Sequence, residues 1–363
     1  MHQVSSVIPP SSTRVFVTGA TGLVGAHLVE QLLLAGYGVV GLIRPTSQSS
    51  RLLELQAKFP NFQIISAELS DQNKLSEAMT GVSVVIHTAA SIAPMATLEE
   101  LSVVNVDGTR SVAQAAIASG VKQLIHISSL SVIMGATHIF DAREDAPYMQ
   151  SKEAYANSKI KAEQLVLSPE ISSQIKVTVL RPGFIYGPNE RAWMPRVISM
   201  LKGRRAMLVG TGELDTNVIY VGNLCRAIMS AILCEKAFGE TYNLTDGQKI
   251  SKRKLFDTIA DGLGLPRCTI YIPEWFAHFL VDSACILASV SPAPIKNVLC
   301  QYSRPALRLA GYNQGFNISK AERDLNYVDR IPFEEGMAKT CASWDLDRGS
   351  RVSNIKSRII AET

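Results

Sequence analysis

The sequence has few cysteines, and their spacing gives no framework that would hold a fold together. Six cysteines are spread over 363 residues, and no two of them form a Cys-x-x-Cys pair. This pattern argues against a disulfide scaffold and a zinc ribbon, and a chain with 47% hydrophobic residues is long enough to bury a core without either. The spacing predicts free thiols, which are typical of a reducing compartment such as the cytoplasm.

Long runs of one charge and histidines at metal-ligand spacing are also missing. The formal net charge is +4, with lysines and arginines dispersed along the chain. This distribution argues against nucleic acid as a dedicated partner. The six histidines give no metal site. Residues 1–12 are polar and contain two prolines, so we expect a flexible arm rather than a signal peptide.

No apolar run reaches the length of about 20 residues that a membrane-spanning helix needs. The segment that comes nearest, Trp275–Val290, contains His278 and Asp282. We expect it to be a buried helix of the substrate-binding part, with an amphipathic helix lying on a membrane surface as the alternative. Residues 345–363 have few large apolar side chains and are expected to form a poorly ordered tail.

Short aliphatic runs alternate with helical patterns over the first half of the chain. The strand candidates are Val15–Val17, Val39–Leu42, Gln63–Ile65, Val84–His87, Leu124–Ile127 and Val177–Leu180. The helix candidates are Leu23–Ala35, Asp71–Met79, Leu98–Ser119 and Glu153–Leu167. Near-continuous apolar strands suit a parallel sheet covered on both faces. The pattern predicts an α/β fold, a doubly wound parallel sheet (Rossmann fold) over residues 13–188.

The alternation weakens in the second half of the chain. Val218–Val221 and Thr241–Leu244 are expected to be strands that return to the sheet, so that residues 218–245 rejoin the first domain. Residues 189–217 and 248–344 would then form a smaller α+β substrate lobe. Its aromatic and aliphatic residues either wall an apolar pocket or form a packed core: Trp275, Phe276, Phe279, Leu280, Ile286 and Leu287.

A glycine-rich loop, Thr18–Gly25, follows the first strand candidate and leads directly into a helix. In a strand–loop–helix context, Gly19 permits the tight turn, Gly22 lets the backbone approach a pyrophosphate, and Gly25 lets the helix pack closely. The helix N-terminus offers free N–H groups to phosphates. The loop predicts a dinucleotide site formed by Gly19, Thr21, Gly22, Leu23, Val24 and Gly25.

The end of the second strand candidate indicates which dinucleotide is bound. An acidic residue there would accept hydrogen bonds from the ribose of NAD, but the run is Gly41-Leu42-Ile43-Arg44. A guanidinium pairs well with a 2′-phosphate, so Arg44 favours NADP(H). NAD(H), with Arg44 as an ordinary surface residue, stays open as the alternative.

Tyr155 and Lys159 have the spacing that a proton-transfer pair needs. Residues at i and i+4 share one face of a helix, and a nearby cation favours the phenolate of a tyrosine whose free pKa is about 10. The fifth strand candidate ends in Ser128-Ser129-Leu130-Ser131, at the edge where such sheets bind ligands. We expect Ser129 to orient the substrate oxygen, with Ser131 as the alternative.

Together these motifs resemble the extended short-chain dehydrogenase/reductase superfamily, which includes the NAD-dependent epimerases and dehydratases. The motifs in order are TGATGLVG at Thr18–Gly25, HTAA at His87–Ala90, NVDGT at Asn105–Thr109, ISSLSV at Ile127–Val132, YANSK at Tyr155–Lys159 and RPGFIYGP at Arg181–Pro188. The resemblance implies that Ala89 and Ala90 line the cofactor, that Asn105 supports a proton relay, and that Pro182 and Gly183 lie beside the nicotinamide. Glu68 and Leu69 stand where many relatives contact the adenine through Gly-Asp-Leu.

Later segments are most similar to the 3β-hydroxysteroid and sterol-4-carboxylate dehydrogenases, with dihydroflavonol reductases as near relatives. The resemblance implies a homodimer packed through Leu98–Ser119 and Glu153–Leu167. It also implies an NAD(P)-dependent enzyme that interconverts a ketone and a secondary alcohol on an apolar, steroid-like, β-keto or flavonoid-like substrate, with a contact to the membrane surface left open.

Two other functions remain open at this stage. A nucleotide-sugar epimerase or dehydratase with retained NAD usually carries an Arg-Asp pair where Thr216 and Asn217 stand, although Arg196, Arg204 or Arg205 could replace that arginine. A non-catalytic dinucleotide sensor would not need Tyr155 and Lys159. The complete proton-transfer motif therefore favours an enzyme.

Overall fold

The computed structural model describes residues 10–47, 49–93, 96–135, 137–292, 295, 298–299, 302 and 304–344. The strands are Arg14–Thr18 (β1), Gly38–Ile43 (β2), Phe62–Ser66 (β3), Val84–His87 (β4), Gln123–Ile127 (β5), Ile139–Ala142 (β6), Lys176–Pro182 (β7), Phe184–Tyr186 (β8), Met207–Val209 (β9), Asp215–Thr216 (β10), Val218–Tyr220 (β11), Thr241–Leu244 (β12), Ile250–Ser251 (β13), Ile270–Ile272 (β14) and Gln314–Phe316 (β15). The predicted tail lies outside the described residues, and of the predicted N-terminal arm only Pro10–Ser12, a 3₁₀ turn, is described.

The α-helices are Leu23–Leu34 (α1), Ser50–Lys58 (α2), Gln72–Ala78 (α3), Leu98–Ser102 (α4), Gly108–Ala118 (α5), Ser131–Met134 (α6), Ala154–Leu167 (α7), Pro169–Ser172 (α8), Met194–Lys202 (α9), Val221–Ala231 (α10), Lys252–Gly262 (α11), Glu274–Val290 (α12), Arg304–Gly311 (α13), Ser319–Leu325 (α14) and residues 333–344 (α15). The predicted helix over Leu98–Ser119 is interrupted by a π-helical turn at Val103–Asp107. Helix α2 was not predicted.

Seven parallel strands form the central sheet, in the order β12-β7-β5-β4-β1-β2-β3. The six strands predicted in the first half are all members, and their side chains are buried on both faces in β4 and β5. Helices cover the two faces, as the apolar runs predicted. The doubly wound Rossmann fold is confirmed. The strand order reverses beside β1, which creates a crevice at the carboxyl edge of the sheet.

The second half of the chain returns to this sheet only in part. Strand β12 pairs with β7 and completes the sheet, as predicted for Thr241–Leu244. The expectation for Val218–Val221 is wrong, because β11 pairs with β8 in a separate two-stranded sheet. Helix α10 follows β11 and packs on α1. One cluster of buried apolar side chains therefore extends from α1 through α10 to α11 and joins both halves of the molecule.

Helix α12 confirms the helix predicted over Trp275–Val290 but not its burial. Its inward face consists of small or branched residues, Ala277, Val281, Ala284 and Ala288. Its large side chains point outward, with 71% of Trp275 and 62% of Phe279 exposed. The interpretation as a buried helix is therefore wrong. Among the described helices, none combines the length and the apolar character needed to cross a bilayer.

Candidate active site

A cavity of about 1000 Å³ lies at the crevice beside β1. The loops that follow β1, β4, β5 and β7 form one side of it, together with the first turns of α7. The opposite side comes from the second half of the chain, through residues of α9, α12 and α13. A cavity in this position and of this size is typical of a ligand site in an open α/β sheet.

The glycine-rich loop forms one end of the cavity. Gly19 has φ +64°, and a Cβ at Gly25 would lie 2.2 Å from the carbonyl oxygen of Gly19, so the loop and α1 can approach this closely only without side chains. Gly22 is the N-cap of α1 and supplies no side-chain acceptor to the first N–H groups of the helix. Free N–H groups at a bare helix N-terminus fit the phosphates of a dinucleotide. The wall includes Thr21, Gly22, Leu23, Val24 and Gly25.

Several residues predicted to contact the cofactor, and Asn105, which was predicted to support a proton relay, do not border the cavity. Among the described residues, Gly19, Arg44, Glu68, Leu69, Ala89 and Asn105 are not part of the cavity lining. Arg44 and Glu68 are exposed, at the carboxyl ends of β2 and β3. Leu69 packs against Gly108. Ala89 lies directly against Gly19 and donates its N–H to Thr18 Oγ1 at 3.1 Å. Ala89 therefore supports the glycine loop, and the cofactor contacts predicted for Gly19, Arg44, Glu68, Leu69 and Ala89 stay predictions.

Near the glycine loop, the start of α2 supplies lining residues that the sequence did not reveal. Ser49, Ser50 and Arg51 border the cavity. The Ser49 side chain caps α2 by accepting the N–H of Leu52, and Arg51 pairs with Glu30. The signal available in the sequence was a serine three residues before Leu52, which is an ordinary helix N-cap pattern.

The nicotinamide end predicted at Pro182 and Gly183 does line the cavity, as does Ala90. A Cβ at Gly183 would lie 1.6 Å from the carbonyl oxygen of Asn217, so only glycine fits where β7 ends. Asn217 itself lines the cavity with its amide oxygen buried and without a hydrogen-bond partner in the described structure. A bound ligand with a hydrogen-bond donor would satisfy that oxygen.

Tyr155 and Lys159 both line the cavity from α7. The phenol keeps some exposure to the cavity, and the surrounding protein nevertheless raises its pKa to about 12 through desolvation. The guanidinium of Arg308 lowers this pKa, the carboxylate of Glu153 raises it, and a hydrogen bond with Ser129 lowers it. Burial lowers the pKa of Lys159 to about 8, partly offset by Glu163, and its Nζ donates to the carbonyl oxygen of Ile127 at 2.7 Å.

The three serines after β5 have different surroundings. Ser128 is buried and donates its hydroxyl to Glu163, which also forms a buried ion pair with Arg181. Ser129 lines the cavity beside Tyr155 and accepts the N–H of Ser131 at 3.2 Å. The hydroxyl of Ser131 is buried and without a hydrogen-bond partner among the described residues. The contact with Tyr155 favours Ser129 as the residue that orients a substrate oxygen.

Asn105 holds the framework around the pair. It lies in the π-helical turn. Its side-chain oxygen accepts the N–H of Ser91, and its side-chain NH₂ group donates to the carbonyl oxygen of Ser91 and to Ser158 Oγ, the latter at 2.9 Å. Ser158 in turn donates to the carbonyl oxygen of Tyr155 at 2.8 Å. The side chain therefore ties the loop after β4 to α7. Its role in a proton relay stays a prediction.

The structure also shows a buried ion pair beside Tyr155 that was not predicted from the sequence. Arg308 on α13 and Glu153 at the N-cap of α7 are 2.9 Å apart, and each side chain is less than one-tenth exposed. Both line the cavity. They are far apart in the sequence and belong to no motif, so no spacing pattern could have paired them.

The substrate side of the cavity differs from the expected apolar wall. Trp275, Phe279, Ile286 and Leu287 are exposed on the outer face of α12 and do not line the cavity. Cys285 lines it instead, together with Trp193, Arg191, Arg196, Arg304 and Arg308. Of the three arginines that could hold a sugar-nucleotide phosphate, Arg196 borders the cavity, whereas Arg204 and Arg205 are not among its described lining residues. The cavity is thus mixed in polarity.

Comparison with known proteins identifies the family. The sequence model of the 3-beta hydroxysteroid dehydrogenase/isomerase family matches residues 16–269, more than half of the chain. The chain belongs to this family. It is therefore an enzyme, an oxidoreductase that acts on CH–OH groups, and a nicotinamide dinucleotide is supported as its cofactor.

Individual relatives cover nearly the whole chain. A 4-hydroxy-2-methyl-3-oxo-4-farnesyl-3,4-dihydroquinoline-1-oxide ketoreductase of Stigmatella aurantiaca is 30% identical over 330 residues, which cover 89% of this chain and 94% of that protein. A decarboxylating sterol-4-alpha-carboxylate 3-dehydrogenase of Mus musculus is 28% identical, covering 90% of each. The dTDP-glucose 4,6-dehydratase DesIV of Streptomyces venezuelae superposes with a TM-score of 0.73 at 22% identity, covering 93% of this chain and 98% of DesIV, which shows the shared fold.

Proposed function

We propose that this enzyme interconverts a ketone and a secondary alcohol on a largely apolar substrate, with Tyr155 as its proton-transfer residue. The observation that carries the proposal is that Tyr155, Lys159 and Ser129 line the same cavity as the glycine-rich loop. The two relatives named above reduce a ketone or oxidise a sterol alcohol, according to their names, which supports the reaction class. We expect this substrate to be steroid-like, β-keto or flavonoid-like.

Ser129, Tyr155 and Lys159 have separate roles in this reaction. Ser129 donates a hydrogen bond to the substrate oxygen and orients the carbonyl, and Tyr155 donates the proton to that oxygen in reduction or accepts it in oxidation. Lys159, held by Ile127, favours the phenolate and binds the ribose. The nicotinamide dinucleotide, when bound to the glycine loop and to Pro182 and Gly183, supplies or accepts the hydride.

NADP(H) is the favoured form of the cofactor. Arg44 is exposed at the end of β2, where a carboxylate would otherwise select NAD, and Ser49 and Ser50 at the start of α2 line the cavity. A guanidinium, serine hydroxyls and a helix N-terminus are each suitable partners for a 2′-phosphate. NAD(H) remains the alternative, to be decided by direct binding.

A retained-NAD nucleotide-sugar epimerase or dehydratase is the second candidate. Arg196 favours it, because this arginine lines the cavity and is available to a diphosphate. Against it, the two sequence relatives named above are a ketoreductase and a dehydrogenase. Net oxidation or reduction of the cofactor during turnover separates the two candidates.

The outer face of α12 supports a contact with a membrane surface. Its exposed apolar side chains project from the same helix whose Cys285 borders the cavity, so a lipid surface docked there would lie next to the substrate site. We also expect a homodimer through α4–α5 and α7, and residence in the cytoplasm, where the five described cysteines would stay reduced as free thiols.

The test follows nicotinamide absorbance with NADPH and NADH, and with their oxidised forms. Steroid, β-keto and flavonoid ketones or alcohols form one panel, and nucleotide sugars the other. The proposal expects stoichiometric cofactor turnover with an apolar ketone or alcohol. Conversion of a sugar nucleotide without net change in the cofactor would contradict it.

A further inference from the structure

The ion pair between Glu153 and Arg308 has no part in the mechanism given above. Arg308 Nη1 lies 2.9 Å from Glu153 Oε2, with the two side chains 9% and 8% exposed. A buried ion pair is often no more stabilising than well-packed apolar residues of the same size, because both charges lose their hydration. Its place on the wall of the cavity, beside Tyr155, indicates a functional reason for keeping it.

The pair connects the two halves of the molecule at the start of the helix that carries Tyr155. Glu153 is the N-cap residue of α7, and Arg308 comes from α13. The guanidinium also lies over the ring of Phe184, 5.4 Å from its centre. The second carboxylate oxygen of Glu153 is buried and has no hydrogen-bond partner among the described residues. Glu153 therefore fixes Arg308 at the first turn of α7.

Lys159 lies on the same helix as Tyr155, where its ammonium donates to the Ile127 carbonyl and Glu163 is the carboxylate that acts on it. Two further charged groups, both part of the cavity lining, act on the Tyr155 phenol: Arg308 lowers its pKa, and Glu153 raises it. Burial lowers the pKa of Lys252 on α11 well below its usual value, and the charge of Arg308 lowers it further. An arginine stays protonated at all working pH values, which makes Arg308 a constant cation beside the phenol.

We propose that Arg308 is a positioning residue for the reaction, which places a permanent positive charge on the cavity wall shared with Tyr155, while the buried ion pair with Glu153 holds this charge in place and opposes it. The inference rests on the proposed function of Tyr155. Two residues of opposite charge beside one phenol have opposite effects on its ionisation. A merely structural ion pair would make both single variants behave alike.

The first test is the pH profile of kcat/KM for alcohol oxidation, which rises as Tyr155 becomes a phenolate. Arg308→Gln is expected to move this rise to higher pH by roughly one unit or more, and Glu153→Gln to move it to lower pH. The double variant should lie between them, and Arg308→Lys should restore most of the wild-type profile. Arg330→Gln is the control, because it breaks a different ion pair, with Glu322, among residues that do not line the cavity.

A second readout is independent of turnover. 3-Fluorotyrosine at position 155 reports ionisation through its fluorine NMR shift, in the free protein and in each variant. Opposite displacements of the titration in Arg308→Gln and Glu153→Gln support the inference, even if no ketone substrate is found and the proposed reaction fails. Displacements in the same direction overturn it. A rise in KM confined to anionic substrates, with no change in the titration, would also overturn it and make Arg308 an anion-binding residue.

Discussion

The cofactor side and the substrate side of this cavity are built differently. The cofactor side comes from loops that directly follow strands of one parallel sheet, and its glycines leave no room for side chains. The substrate side is assembled from helices α9, α12 and α13. Helices α9 and α13 contribute arginines to the cavity lining, and α12 carries bulky apolar side chains on its outer face. The shape of the cofactor side is fixed by backbone geometry. The substrate side depends instead on individual side chains, and other residues could take their place. Under the proposed function, the residues of the cofactor side carry the reaction, and those of the second half of the chain select the substrate.

The substitution Gly25→Ala tests the cofactor side, where backbone geometry fixes the shape of the cavity. The added Cβ would lie 2.2 Å from the Gly19 carbonyl oxygen, so the loop must shift. We expect the variant to lose up to about 100-fold in dinucleotide affinity and about 1–3 kcal/mol in stability. Gly38→Ala is the control, because its Cβ would meet its nearest neighbour at an ordinary 3.6 Å. Calorimetric titration with NADPH and NADH measures the first effect, and equal affinities for the two variants would contradict it.

Substitutions on the exposed apolar face of α12 provide a test on the substrate side. We expect Phe279→Ser with Leu287→Ser to weaken binding to phospholipid vesicles by about 2 kcal/mol, since each side chain would be partly buried in lipid. The free energy of unfolding should hardly change, because both side chains are already exposed. Leu53→Ser on α2, which removes an equally exposed leucine, is the control. Vesicle co-sedimentation that is the same for all three proteins would show that α12 does not dock on lipid.

Replacing Lys159, on the cofactor side, is expected to raise the stability of the protein and to abolish its activity. Its pKa is about 8 when folded and 10.5 when free, so the buried ammonium destabilises the protein fully below pH 8. As pH rises from 8 to 10.5, the folded protein releases this proton before the unfolded chain does, and stability rises. We expect Lys159→Met to be roughly 1–2 kcal/mol more stable at pH 7, after the loss of its hydrogen bond to Ile127, and to lack catalysis.

Urea denaturation at several pH values checks this expectation. The advantage of Lys159→Met should shrink between pH 8 and 10.5. A variant that is less stable at pH 7, or an advantage that does not depend on pH, would show that the ammonium is not destabilising.

The smallest expected effect concerns the choice of dinucleotide. Arg44→Ser should weaken NADPH binding about tenfold through the loss of a charge-assisted contact. NADH, which has no 2′-phosphate, is the internal control and should bind as before. A parallel loss for both cofactors would mean that Arg44 stabilises the loop after β2 rather than reading the phosphate.

The local geometry of the cofactor side could be predicted from the sequence because its determinants are close together along the chain. The strand–glycine loop–helix order gave the phosphate end, and the spacing of Tyr155 and Lys159 placed both on one face of α7. The strands of the central sheet were recognised from short apolar runs. Each of these signals lies within a few residues along the chain.

The substrate side was predicted poorly because its determinants are distant in sequence. Glu153 and Arg308 meet only through the tertiary fold. Helix α12 reads as buried because it is rich in apolar residues, and only the structure shows that its small residues face inward and its large ones outward. Strand β11 has a buried-strand pattern, but the pattern does not specify β8 as its partner. Which strands pair, and which side of a helix faces the core, is decided only in the folded chain.

The most direct test of the central claim is the single-turnover rate of hydride transfer in Tyr155→Phe. If Tyr155 transfers the proton, this rate should fall by a factor of about 10²–10⁴ while dinucleotide affinity stays unchanged, because only the proton-transfer hydroxyl is removed. Tyr148→Phe, which removes a hydroxyl bound to Glu163 outside the cavity lining, should keep the wild-type rate. A Tyr155→Phe enzyme that transfers hydride within tenfold of the wild-type rate would contradict the account.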